Sequence, residues 1–250
     1  MNAPLKLDEL KSLHEKKFRD ERGLFLAEGE HLVLELEKAV SRHPALGAAQ
    51  VYVSHEYAAE HAMGDRWRGL GVHRLASRQI AAVSDTRNPQ GVLAVVPMPP
   101  VSPLQADERT IYLHGIQDPG NLGTILRTLA WFGGFRCLLS PQSVDPYNPK
   151  VVRASMGAIF HVPIECEVTV EQLLARHPTI ALLDVQGEPL SNPDFRDFGV
   201  YAFGSESRGL PKDLLVSAGI HRFSIPGGRG IDSLNLASAV NICAYELSRR

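Results

Sequence analysis

From Thr110 to the end of the chain, short apolar runs alternate with stretches whose apolar residues recur at helical spacing. Nothing else in the sequence restricts the fold as much. "TIYLHGI", "FRCLLS", "HVPIEC", "TIALLDV", "GVYAFGS" and "HRFSI" predict strands, and "NLGTILRTLAWFG", "PKVVRASMGAIF", "TVEQLLARHP" and "SLNLASAVNICAYELSRR" predict helices. Strands that alternate with helices need crossover connections, so this half is expected to be α/β, a parallel sheet with helices on both faces. Upstream, "QVYVS", "GVHRLA" and "GVLAVVP" alternate with helical patterns such as "GEHLVLELEKAVSR" and predict a smaller α/β module behind a charged, partly helical leader. Between the two lie Pro97, Pro99, Pro100 and Pro103. Prolines at this density continue neither a helix nor a central strand. The expected division is therefore 1–98, a linker at 99–108, and 109–250.

Composition narrows the function classes. The 250 residues are 44% hydrophobic and 22% charged, ordinary for a globular protein. No apolar run reaches the ~18 residues of a membrane span, so no membrane partner is expected. The first twenty residues have no apolar signal core, which points to a cytoplasmic location. Cys137, Cys166 and Cys243 are an odd, widely spaced set in apolar contexts and are expected to be reduced core residues. No histidine or cysteine pair has metal-ligand spacing, and no metal is expected. There is no P-loop, and "GRGIDS" lacks the third glycine of a dinucleotide fingerprint, which disfavours a nicotinamide oxidoreductase. Net charge is −2, so any nucleic-acid contact must come from a local basic set.

Ligands of such sheets bind beyond the carboxyl ends of the strands. Three corners there are rich in glycine and polar residues: "QDPGNLGTILR" (117–127), "SESRGLP" (205–211) and "PGGRGIDSLN" (226–235). Each also reads as simple scaffolding. Asn121 could cap one helix, Ser233 or Asp232 another, and the second corner could be a solvated turn. Arg127 stands out because it interrupts an apolar helix near its N-terminal end, where a guanidinium could reach a polyanion.

Taken in order, "NLGTILRTLAWFG", "FGSESRGLP" and "IPGGRGIDSLNLASAVNICAYEL" resemble the three motifs of the SpoU (TrmH-like) family of RNA 2′-O-ribose methyltransferases, within the SPOUT α/β-knot superfamily. "KKFRDERGLFLAEGEHLVLE" and "SDTRNPQGVLAVV" resemble the first and last segments of the L30e-like RNA substrate-binding module that precedes the catalytic domain in ribosomal-RNA members. "NPKVVRASMGAIFHVPI" is similar to a further segment of that subfamily. The resemblance implies a trefoil-knotted catalytic domain, S-adenosyl-L-methionine as methyl donor, and a homodimer with the closing helix at its interface. It also implies methylation of a ribose 2′-hydroxyl, with 23S ribosomal RNA the expected substrate. Transfer RNA, or a non-catalytic RNA-binding role, is the alternative. By motif position it places Gly204, Ser205, Ile225, Gly227, Gly230 and Leu234 at the cofactor, and Arg127, Asn121, Glu206, Ser233 and Asn235 in the catalytic set. The resemblance implies Arg127 for removing the hydroxyl proton; an arginine is a poor proton acceptor, so either the site depresses its pKa strongly or, as favoured here, Arg127 acts electrostatically on phosphate and developing alkoxide. Many members carry glycine where this chain has Ser207. Over residues 1–100 basic and acidic side chains balance, 13 against 13. Lys16, Lys17, Arg19 and Arg22, with Arg208 of the second motif, are the expected RNA contacts. Deleting 1–98 is expected to leave a folded dimer that binds cofactor.

Overall fold

The computed structural model describes residues 3–61, 67, 69–205, 209, 214, 217, 219–228, 230 and 233–249. The chain forms two compact units, Met1–Pro100 with Asp145–His161, and Val101–Val144 with Val162–Arg250.

The first unit is built on a four-stranded mixed sheet in the order β1-β4-β2-β3. Strands β1 (Leu24–Glu28) and β2 (Gln50–Ser54) flank β4 (Val92–Pro97) antiparallel, and β3 (Gly71–Leu75) adds to β2 in parallel. The β-branched and aromatic run "QVYVS" is buried along its whole length. On one face Leu26, Tyr52, Leu93 and Val95 pack with Leu10 and Leu13 from the segment of helix α1 (Leu7–Ser12) and with Ile80 and Val83 of α5 (Ser77–Val83). Helix α2 (Lys16–Arg22) follows α1 and ends on Gly23, and α4 (His55–Glu60) starts on a Ser54 cap. Helix α3 (Glu30–Val40) packs against β1 and β4.

Segment Asp145–His161, which the sequence reading places inside 109–250, belongs to this first unit. Its helix α7 (Pro149–Ala154) packs on β1, and Phe25 of β1 lies 4.9 Å from the Tyr147 ring and 6.3 Å from Phe160. Arg153 reaches Asp85 at 2.8 Å. The expected single helix over "PKVVRASMGAIF" breaks after Ala154, because Met156 (φ 51°) and Gly157 (φ 93°) are left-handed and a 3-10 turn follows at Ala158–Phe160. A Cβ on Gly157 would lie 2.6 Å from Cβ of Glu35, so only glycine lets this backbone approach α3.

The second unit is a six-stranded, wholly parallel sheet in the order β10-β8-β9-β5-β6-β7. Its strands are β5 (Arg109–Leu113), β6 (Phe135–Leu139), β7 (Ile164–Glu165), β8 (Ile180–Pro189), β9 (Val200–Phe203) and β10 (Ile220–Ser224). Helix α6 (Pro119–Phe132) packs against the closing helix α9 (Leu236–Ser248). Tyr112, Leu138, Ile180, Leu182, Val200 and Ala202 form a core with Val170 and Leu173 of α8 (Val170–Arg176). Cys137 and Cys243 are buried, and burial raises both thiol pKa values. Cys166 is exposed, contrary to its expected core position, because β7 is only two residues long and the chain leaves the sheet before reaching it. Among the described residues no helix is long and apolar enough to cross a membrane.

Candidate active site

In the second unit β5 runs beside β9, while the chain after β5 proceeds to β6 on the other side. At such a reversal ligands of open parallel sheets bind beyond the carboxyl ends of the strands, here those of β5 and β9. The ladder there continues one step past the strands, with His114 N–H donating to Phe203 O at 2.9 Å. Gly115 (φ 62°) turns the chain, and its N–H donates to Ser140 Oγ at 2.8 Å. A Cβ on Gly115 would touch Ser205 Cβ at 3.5 Å, so the turn that leads into the first corner lies against the start of the second. Ser205 and Gly209 exchange backbone hydrogen bonds of 3.0 and 2.9 Å, which pins the second corner at both ends. Glu206, Ser207 and Arg208 lie outside the described residues.

Helix α6 starts one turn earlier than "NLGTILR" suggests. Asp118, not Asn121, is the N-cap, its side chain accepting Asn121 N–H at 2.7 Å, with Pro119 at the first helical position. The Asn121 side chain is thus not the cap of this helix. Helix α9 is capped by Asn235 rather than by Ser233, its Oδ1 accepting Ser238 N–H at 3.2 Å; Asp232, the other expected cap, lies outside the described residues. With Oδ1 committed, Asn235 has only its amide N–H₂ to donate, and Nδ2 reaches Asn121 Oδ1 at 3.1 Å. The first and third corners are thereby joined across 114 residues of sequence. A second polar rung, Thr128 Oγ1 to Asn241 Oδ1 at 2.6 Å, fixes the same helix pair further along.

Arg127 is exposed on α6 and makes no hydrogen bond or ion pair with a described residue. Four residues on, Trp131 is 83% exposed, and Ile242 and Tyr245 of α9 are also exposed. Of the residues expected at the cofactor, Gly204 and Ser205 follow β9, while Ile225 and Gly227 follow β10. A Cβ on Gly227, Gly228 or Gly230 would meet nothing within 4 Å, so the backbone is open at these three positions. Ser233 is exposed and Leu234 offers a 44% exposed apolar side chain. An open backbone beside an exposed apolar residue suits a nucleoside. Two residues of this crevice were missed from sequence, Ser140 and His114. Both are the polar residues that end an apolar strand run, the signal that could have found them.

The first unit revises the expected RNA contacts. Arg19 is buried and cannot face a phosphate. Its guanidinium pairs with Asp145, 126 positions away, and donates to the carbonyls of Leu13 and His14 at 2.8 and 2.7 Å. Lys16 pairs with Asp20 at 2.6 Å, Lys17 with Glu21 at 3.8 Å and Arg22 with Glu9 at 3.1 Å. Exposed Arg42, Arg74, Arg78 and Arg87 have no acidic partner among the described residues.

A parallel sheet with its ligand corners at the reversal between β5 and β9, and with its last helix returned onto α6, defines a methyltransferase domain of the SPOUT α/β-knot class. A separate α/β domain precedes it. The chain belongs to the SpoU rRNA methylase family, which it matches over residues 108–245, and residues 5–94 match the MRM3-like substrate binding domain. It is 32% identical to the uncharacterized tRNA/rRNA methyltransferase slr1673 of Synechocystis, over 97% of this chain and 90% of that one. It is 30% identical to the 23S rRNA (guanosine(2553)-2′-O)-methyltransferase RlmP of Bacillus subtilis, over 97% and 95%. A solved structure named for the TrmH family of RNA methyltransferases, from Porphyromonas gingivalis, superposes with a TM-score of 0.82 at 30% identity over 99% of this chain and 98% of that one. The AdoMet-bound rRNA methyltransferase of Sinorhizobium meliloti gives 0.76 at 29% identity over 96% and 93%.

Proposed function

We propose that this protein transfers the methyl group of S-adenosyl-L-methionine to a ribose 2′-hydroxyl of 23S ribosomal RNA. The observation that carries the reading is the Asn235–Asn121 hydrogen bond. It brings the third corner against the first, on the helix that displays an exposed Arg127 without a partner among the described residues. When bound, S-adenosylmethionine supplies an electrophilic methyl group beside a sulfonium. Leu234 and the open backbone of Ile225–Gly228 hold the adenosine, with Gly204 and Ser205 closing the other side of the crevice. Asn121 and Asn235 orient the acceptor ribose. Arg127 draws in the neighbouring phosphate and stabilises the oxyanion that develops as the hydroxyl passes its proton to solvent water; preorganised charge of this kind accounts for a large part of many enzymatic rate enhancements. Glu206 and Ser233 belong to the same motifs and complete the set.

The RNA is gathered by the first unit. Arg42, Arg74, Arg78 and Arg87 replace the paired cations of α2 as its phosphate contacts, since a cation already neutralised by a carboxylate has less to gain. The active form is a homodimer in the cytoplasm. The exposed stripe of Trp131, Ile242 and Tyr245 is the face a second copy covers, because an apolar patch of this kind is rare on a monomer surface. Incubating the purified chain with S-adenosylmethionine and 23S RNA, then mapping ribose methylation, tests the proposal. A new 2′-O-methyl group at a defined nucleotide is the expected result. Methylation of transfer RNA alone, or of neither RNA, overturns it.

A further inference from the structure

We propose that His114 is part of the methyl-donor site, where its buried Nδ1 makes a hydrogen bond to a hydroxyl or amino group of bound S-adenosylmethionine. The inference rests on the donor reading above and adds a residue that the three motifs do not contain.

The placement follows from the sheet. The registers Tyr112↔Ala202 and Leu113↔Phe203 run up to His114, whose N–H donates to Phe203 O, so the next pair in step is His114 opposite Gly204. On the other flank Tyr112↔Leu138 and Leu113↔Leu139 put Ser140 beside it. Side chains alternate along a strand, so His114 shares a face with Tyr112, and their rings lie 6.3 Å apart. Tyr112 closes the floor beneath, its hydroxyl donating to Val168 O at 3.2 Å. The imidazole therefore stands at the carboxyl edge of the sheet, in register with Gly204.

Its Nδ1 is shut off from solvent and has no hydrogen-bond partner among the described residues. Leaving such an atom unsatisfied costs about 1–3 kcal/mol, and native structures keep few such atoms outside functional sites. Ser140, the nearest hydroxyl on β6, is already engaged, accepting from Gly115 N–H and donating to Pro141 O. A ligand atom entering beside Gly204 can satisfy Nδ1.

The charge state agrees. Burial lowers the His114 pKa below its usual value, so the ring is neutral at pH 7. The groups facing it are Tyr112 on its own strand, Leu138 and Ser140 from β6, and Ala202 and Gly204 from β9; Glu206 lies outside the described residues. Tyr112, the titratable one among them, is pushed up to about 12 by burial and stays uncharged. A neutral ring suits a sulfonium ligand, whereas an imidazolium would repel it. Affinity for the donor should therefore be complete above the His114 pKa and fall as pH drops through it, by at most about tenfold per unit. S-adenosylhomocysteine, which lacks the positive charge, should show a shallower fall.

The test is calorimetric titration of the full chain with S-adenosylmethionine and with S-adenosylhomocysteine between about pH 5.5 and 7.5, for wild type, His114→Ala and His114→Gln. Removing one hydrogen bond to a ligand is expected to cost His114→Ala about tenfold at the upper pH. His114→Gln keeps a polar atom without a titrating ring, so it should bind within about threefold of wild type and lose the pH dependence. It also keeps the test alive if the alanine variant does not fold. Wild-type affinity in His114→Ala, or a wild-type pH profile in His114→Gln, overturns the inference. A wild-type chain that binds neither compound overturns the donor reading itself, which is a distinct result.

Discussion

Arg19 and Arg127 both lie on helices of amphipathic pattern, both follow apolar or charged neighbours, and sequence alone marks both for RNA. The two units treat them in opposite ways. Arg19 is 3% exposed and has spent its donors on Asp145 and two carbonyls. Arg127 is exposed and has no protein partner among the described residues. A guanidinium whose hydrogen-bonding capacity is filled from within the protein contributes to the fold. One left empty at the rim of a crevice is available for a ligand. The same logic separates Lys16, Lys17 and Arg22, each matched with a carboxylate, from Arg42, Arg74, Arg78 and Arg87.

This contrast can be broken by substitution. Arg19→Ala should have the largest effect on stability, about 3–5 kcal/mol, because it leaves Asp145 as an uncompensated buried charge. Denaturant unfolding of the whole chain measures it, and a loss below about 1 kcal/mol would show that the pair is not structural. Arg127→Ala should do the reverse. Methylation should fall about 100- to 1,000-fold, the usual cost of deleting one charge-stabilising donor, while the melting temperature and donor affinity hold. Retained turnover would remove Arg127 from the mechanism. Asn235→Ala should cost about 1 kcal/mol of stability through the lost cap, along with activity. Asn235→Asp keeps the acceptor for Ser238 N–H but has no amide to offer Asn121, so it should lose activity and keep stability; full activity in Asn235→Asp would mean that the Asn121 contact is incidental. The smallest effect is expected of the Lys16→Ala, Lys17→Ala double variant, with RNA affinity changed by roughly twofold at most since both are surface-paired. The Arg74→Ala, Arg78→Ala variant should lose more, and the slope of affinity against salt should flatten with it.

How much of this was legible in the sequence depends on how local each determinant is. "QVYVS" and "GVLAVVP" read as strands because their apolar and β-branched residues declare themselves within a few positions. The three corners were legible as glycine-rich punctuation after strands. The cap of α6 was available from the Asp118-Pro119 pair and was misassigned to Asn121, a local signal passed over. Arg19 was not readable, since the residue that decides its fate is 126 positions away. Nor was the break at Met156, which is set by the approach of Gly157 to Glu35 rather than by helix propensity. Tertiary contact overrides local preference at both places.

The allocation of Asp145–His161 bears on how the protein can be dissected. Val151, Val152, Ile159 and Phe160 are covered by residues that precede the linker, and Asp145 is neutralised by one of them. A fragment beginning near residue 99 would carry this stretch stripped of its cover, a greasy, charge-frustrated flap on an otherwise finished sheet. Trimming the leader module is thus not the clean excision that a beads-on-a-string view of the gene suggests. Clumping of such a fragment during purification would be a scar of surgery, telling nothing about whether its crevice still works.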